Sequence, residues 1–239
     1  MAAVIGYSNL IDTATLGGTF ASTANLKTRY LAQKATAGTS AYLDIDVGTA
    51  QSLGVAAVIA HGGTIGTVRV RGGTTVGGSN KYDSGVQSVY TGNDFALPFT
   101  PAAARYWRID VTGSSIAIGR VFLGYRFRPA VNVDWNPTLE VESRTGVVES
   151  LSGMEYFDER PNRRVWRGVF GWLTPAEAAE WLAVQRNLDV SREVYWIEDD
   201  ADTTYRADRW FLGRLRTLSA IEYPYLSVHR TAVEIGELL

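Results

Sequence analysis

The chain contains no cysteine, which excludes disulfides, thiolate nucleophiles, cysteine-ligated zinc and iron-sulfur clusters. Histidine, the commonest acid-base side chain, occurs twice, at His61 and His229. Lysine occurs three times, at Lys27, Lys34 and Lys81. With a formal charge of −2 there is no net pull toward nucleic acid or an anionic membrane. No apolar run approaches the ~18 residues of a membrane span, and the opening MAAVIGYSNLIDTATLGG has no basic segment followed by an apolar one. The expectation is a protein made and kept soluble in a cytoplasm. Hydrophobic residues at 46% and charged residues at 20% are ordinary globular proportions.

Composition changes once along the chain. Residues 1–125 hold all three lysines, 18 of the 24 glycines, no glutamate and one of the seven tryptophans. Residues 126–239 hold no lysine, 14 arginines, every glutamate and six tryptophans. A length of 239 residues accommodates two cores. The boundary is placed in YRFRPAVNVDW (125–135), giving domains 1–127 and 128–239, with Pro129 stiffening the connection.

The first part reads as short alternating runs separated by glycine and threonine turns, the pattern of an all-β sandwich. In residues 42–47, Leu43, Ile45 and Val47 are expected inward and Tyr42, Asp44 and Asp46 outward. Residues 105–111 put Trp107, Ile109 and Val111 on one face, while 55–60 is apolar throughout, as a strand covered on both faces would be. In the second part, residues 164–173 predict a strand on which Trp166, Phe170 and Trp172 share a face with Gly168. Thr174, Pro175 and Glu177 supply an N-cap, a first-turn proline and a capping box, so a helix is predicted over 175–188. Its apolar stripe is Ala178, Trp181, Leu182, Gln185 and Leu188. Strands are predicted over 193–197, 209–215 and 225–235, the first two flanking an acidic turn at 198–202. The expected fold class is mainly β: a jelly-roll sandwich, then a β-rich domain with one packed α-helix.

No constellation nominates an enzyme. His61 and His229 fall in different parts; each is expected to be structural, His61 as a hydrogen-bonded loop residue and His229 as a partly exposed strand residue. Asp44 and Asp46 share a strand face but read as a solvated edge beside arginines. EDDAD (198–202) lacks the spacing and glycine of a calcium loop. The glycine pairs at 62–63, 72–73 and 77–78 lack the lysine and helix of a phosphate loop. No catalytic, cofactor-binding or metal-ligating residue is assigned. The candidate interface is Arg160, Arg163, Arg164, Trp166, Arg167 and Trp172, residue types enriched in interface cores, with a core sheet and its solvated edge as the competing reading and carbohydrate stacking on an exposed tryptophan as a third.

YLDIDVG (42–48), VAAVIAHGGT (55–64), TVRVRG (67–72), ARYWRIDVTG (104–113) and IAIGRVFLG (116–124), with Ala24-Asn25-Leu26 upstream, resemble the discoidin-like galactose-binding fold. That resemblance implies a jelly roll whose loop end often binds sugars. The same half followed by RPAVNVDW (128–135), the arginine-rich strand, TPAEAAEWL (174–182) and the ending FLGRLRTLS to EIGELL is similar to tail-tip structural proteins of tailed bacteriophages, related to distal tail proteins. Here the galactose-binding-like domain comes first, whereas typical distal tail proteins carry it second. The likeness implies a virion protein made in the bacterial cytoplasm that forms a ring with itself. It would connect the tail tube, with tape-measure and hub proteins as neighbours, to the receptor-binding apparatus. It implies no cofactor, no nucleic acid and no membrane insertion. Two alternatives stand beside it: a host-recognition module binding surface glycan, and a tail-associated glycan or cell-wall hydrolase.

Overall fold

The computed structural model describes residues 2–90, 92 and 94–239. The fold is mainly β, and the chain forms two compact units, residues 3–128 with 194–211, and residues 129–193 with 212–239.

The first unit is built from β1 (Val4–Tyr7), β2 (Thr15–Gly18), β3 (Ala35–Ala37), β4 (Ser40–Ile59), β5 (Gly62–Gly73), β6 (Tyr82–Asp83), β7 (Gln87–Ser88), β8 (Phe95–Ile118) and β9 (Arg120–Phe127). Two strands, β4 and β8, are far longer than usual and run antiparallel along both their halves. Register shifts between Asp46 and Gln51 and between Leu53 and Val55 break this long pairing into three stretches. Gly48, at φ 82°, supplies the left-handed backbone at the first break. The first half of β4 lies between β2 and β8, and the second half between β9 and β8. Leu43 and Ile45 alternate as expected with Tyr42, Asp44 and Asp46, and Trp107, Ile109 and Val111 are buried opposite them. Residues 55–59 are buried on both faces, Ala56 and Val58 on the side of one core cluster, while β9 pairs along the strand's edge. Val47 is only half-buried, at the start of the break.

The second unit carries β10 (Thr138–Glu142), β11 (Gly146–Glu149), β12 (Glu155–Asp158), β13 (Arg163–Leu173) and α1 (Pro175–Leu188). Then come β14 (Glu193–Ile197), α2 (Arg206–Arg209), β15 (Trp210–Leu215), β16 (Ile221–Tyr225) and β17 (Val228–Glu237). Most of β14 belongs to the first unit, because Val194–Ile197 pair antiparallel with β1, which itself pairs with β9. The second unit's sheet has β13 between β10 and β17, with β16 and the end of β15 also on β17.

Helix α1 starts at the predicted capping box: the Glu177 N–H donates to Thr174 Oγ1 at 3.3 Å, and the Thr174 N–H donates to Glu177 Oε2 at 2.8 Å. Its buried stripe is Ala178, Trp181, Val184, Gln185 and Leu188. Leu182 is exposed and Val184 takes its place. At ~100° per residue Leu182 lies roughly 100° round the helix from the stripe's centre. The sheet beneath is aromatic: Phe170 meets Trp181 edge-on at 6.2 Å.

Candidate functional site

The arginine-rich strand β13 is where the sequence places the interface, and its residues separate into three groups. Trp166 is fully buried, so it is core and not contact surface. Gly168 makes that possible, since a Cβ there would lie 2.3 Å from Trp166 Cη2. Phe170 is buried on the same side, but Trp172 is 56% exposed. The predicted shared face fails at Trp172 because the pairing with β17 shifts register between Phe170 and Leu173, which inverts the alternation and turns Leu173 inward.

The arginines are already matched. Arg163 holds Glu142 through two hydrogen bonds of 2.9 Å. Arg216 reaches Glu142 at 3.1 Å and Glu234 at 3.3 Å. Arg167 takes Glu234 at 3.0 Å and Glu140 at 2.6 Å. The result is a neutral string of alternating charges, Arg163, Glu142, Arg216, Glu234, Arg167, Glu140, running over β10, β13 and β17. The Arg163 guanidinium beside Glu142 holds that carboxyl below its usual range. Arg164 pairs with Glu237, whose Oε2 also accepts the Arg164 N–H at 2.8 Å. Arg160 pairs with Asp158 at 2.5 Å, both side chains being exposed. The glutamate partners Glu140, Glu142 and Glu234 are distant in sequence from the arginines; the i, i+2 carboxylates in TLEVE are the local signal for two of them.

Beyond β10 and β13 the same hairpin continues as a separate two-stranded ribbon, β11 with β12. Its turn is closed by Ser150, whose N–H donates to the Met154 carbonyl at 2.8 Å, with Gly153 at φ 81°. Residues 146–149 and 151–162 are all exposed. Val147, Val148, Leu151, Met154, Tyr156 and Phe157 stand at 56% to 112% exposure on this arm. Glu149 lies directly opposite Glu155. A second exposed tip joins β16 to β17, with Tyr223, Tyr225 and Leu226 at 69% to 103% exposure. Arg230 on that hairpin is 4.0 Å from Glu222. Of the 21 large apolar side chains exposed among the described residues, Tyr30, Val76, Val86 and Tyr205 belong to the first unit and the other 17 to the second.

The acid-base candidates stay apart. His61 lies between β4 and β5, its Nε2 shut off from solvent without a hydrogen-bond partner among the described residues. Burial, helped by the Lys34 charge, pushes its pKa down. The expected loop hydrogen bond at Nε2 is therefore not formed. His229 is buried, not partly exposed, because the Tyr223 ring from β16 packs edge-on against it at 4.7 Å. Asp44 pairs with Arg108 through bonds of 2.5 and 2.8 Å, and Asp46 with Arg105 through two of 2.9 Å. A shallow groove of about 300 Å³ opens over them, lined also by Thr15, Gly17, Val76 and Tyr106. In the acidic turn, Asp200 pairs with Arg128 at 3.0 Å, and Asp202 Oδ1 accepts the Thr204 and Tyr205 N–H groups at the start of α2. Among the described residues no three metal-ligating side chains converge.

No protein-family model matches the chain, and no curated protein does. Solved structures similar to it include the family 32 CBM of C. perfringens NanJ in complex with galactose, at 10% identity and TM-score 0.41, covering 50% of this chain and 98% of that one. Chitosan-binding module 1 from a chitosanase/glucanase of Paenibacillus sp. IK-5 is similar at 12% identity and TM-score 0.38, covering 49% and 98%. The lectin-binding domain of lectinolysin, complexed with Lewis b, is similar at 13% identity and TM-score 0.41, covering 51% and 98%.

Proposed function

We propose that this protein is a structural, non-enzymatic subunit that assembles with copies of itself through its second unit. The one observation that carries the reading is the distribution of uncovered apolar surface: among the described residues, 17 of 21 exposed large apolar side chains sit in that unit, six of them on one two-stranded arm. Large exposed apolar surface marks association sites, and an isolated two-stranded ribbon is marginal in water without something to pack on. The sequence resemblance supplies the location: a ring in the tail tip of a tailed bacteriophage, between the tube and the receptor-binding apparatus. In that role the protein positions neighbours and carries out no covalent chemistry. Electron microscopy of tails labelled with an antibody to this protein tests the location. Label confined to the tail tip is expected; label elsewhere, or none, overturns it.

A second reading, recognition of surface glycan by the first unit, is favoured by the groove over Asp44, Asp46 and Tyr106. Its carboxylates are held in place by Arg105 and Arg108, so they would meet sugar hydroxyls at little ordering cost. Binding on a glycan array that disappears in Tyr106→Ala is the expected result; an array without signal removes it.

A further inference from the structure

The arm and the second tip lie at opposite ends of one sheet. The arm leaves the sheet where Glu142 pairs with Arg163, at the start of β13. The tip between β16 and β17 lies past the other end, where Leu173 pairs with His229 and Tyr225 with Val228. The 11 residues of β13 separate them by about 35 Å, so the two cannot meet within one copy. Each copy therefore carries two unmatched apolar ends facing opposite ways.

Their chemistry is complementary. At the arm's end Glu149 faces Glu155 across the ribbon, and neither carboxylate has a cationic partner among the described residues. Like charges directly opposite weaken a two-stranded ribbon, and a cation placed between them removes the penalty. The second tip offers Arg230, held by Glu222 only at 4.0 Å, in a setting of exposed Tyr223, Tyr225 and Leu226. With aromatic side chains of about 150–250 Å² each, the two tips in contact would bury on the order of 1,000 Å² in total, the area that a specific interface has to clear.

We propose that the β11–β12 arm of one copy docks on the β16–β17 tip of a second copy, Arg230 entering between Glu149 and Glu155. The contact joins two different patches, so it repeats head to tail and closes into a ring where the rotation allows. This inference rests on the self-assembly reading above and adds the surfaces and the register.

The full chain is studied by sedimentation velocity over a range of concentrations. Oligomers are expected for the native sequence. Glu149→Arg with Glu155→Arg is expected to weaken association by roughly 30-fold or more, and Arg230→Glu by a similar factor. The triple variant, with the charges exchanged, is expected to restore it. All three side chains are on exposed hairpins, so the variants keep the fold, which circular dichroism verifies. Because the chain has no cysteine, mixing Val147→Cys, on the ribbon face of Glu149, with Leu226→Cys protein provides an independent readout: a disulfide between the two variants in mild oxidant. Oligomers indifferent to charge reversal, with no such crosslink, overturn the docking mode and leave self-assembly standing. A chain that stays monomeric at every concentration overturns the inference, and the location of label on tails then decides the functional reading separately.

Discussion

Arg120 shows what a single charge does inside this protein. Its side chain is fully buried at the start of β9, donating to the carbonyls of Leu26 at 3.1 Å and Thr28 at 3.3 Å and to Asp12 at 2.7 Å. One guanidinium thus ties a loop lacking sheet hydrogen bonds to the β-core. Removing it leaves the Leu26 and Thr28 carbonyls without this donor and a buried void in place of the side chain, so Arg120→Ala is expected to cost about 3 kcal/mol in urea denaturation. A loss below about 1 kcal/mol would show that water replaces the side chain there. Surface charges behave differently. Hydrogen bonds from Arg105 and Arg69 hold Asp46 and Asp83 at about 2, below the ordinary 3.8. A depressed folded-state value means stability that is present above the unfolded value and lost as pH falls through the folded one. The urea midpoint is therefore expected to decline between pH 3.8 and about 2, and Asp46→Asn with Asp83→Asn to flatten that decline. Equal acid sensitivity in both proteins would assign it to other carboxylates.

Among the elements, β13 is the instructive one. A strict period of two would put Trp166 and Trp172 on one face, yet a register shift before Leu173 buries the first and exposes the second. Trp166→Ala is accordingly expected to cost about 3–5 kcal/mol through the cavity it leaves. Trp172→Ala is expected to stay within about 0.5 kcal/mol. Equal costs in chemical denaturation would place both rings in the core and contradict the inverted alternation. Helix α1 followed local signals instead, because its cap is made by neighbours in sequence, Thr174 and Glu177, and needs no tertiary partner. The Glu177 carboxylate also accepts the Ala130 N–H at 2.6 Å, which ties the start of the helix to the segment entering the second unit.

At the scale of the whole molecule, association and stability are linked. If copies dock through the arm, the folded chain is stabilised by mass action. The melting midpoint is then expected to rise over a 100-fold increase in protein concentration, and Arg230→Glu to remove the dependence. A concentration-independent midpoint in calorimetry would count against a self-association that stabilises the fold.

The sequence by itself determined the mainly β class, the alternating strands at 42–47 and 105–111, and the capped helix at 175–188. Each is written in neighbours a few residues apart, where periodicity and capping act. It also showed the compositional change near residue 128. Only the tertiary structure decided that residues 194–211 pack with the first unit, because pairing β14 with β1 joins positions nearly two hundred residues apart and leaves no local trace. The same holds for the neutral arginine–glutamate string, which cancels a cluster that looked cationic along the strand. It holds as well for the arm. Which apolar residues at 147–157 remain uncovered depends on what the rest of the chain leaves unpacked.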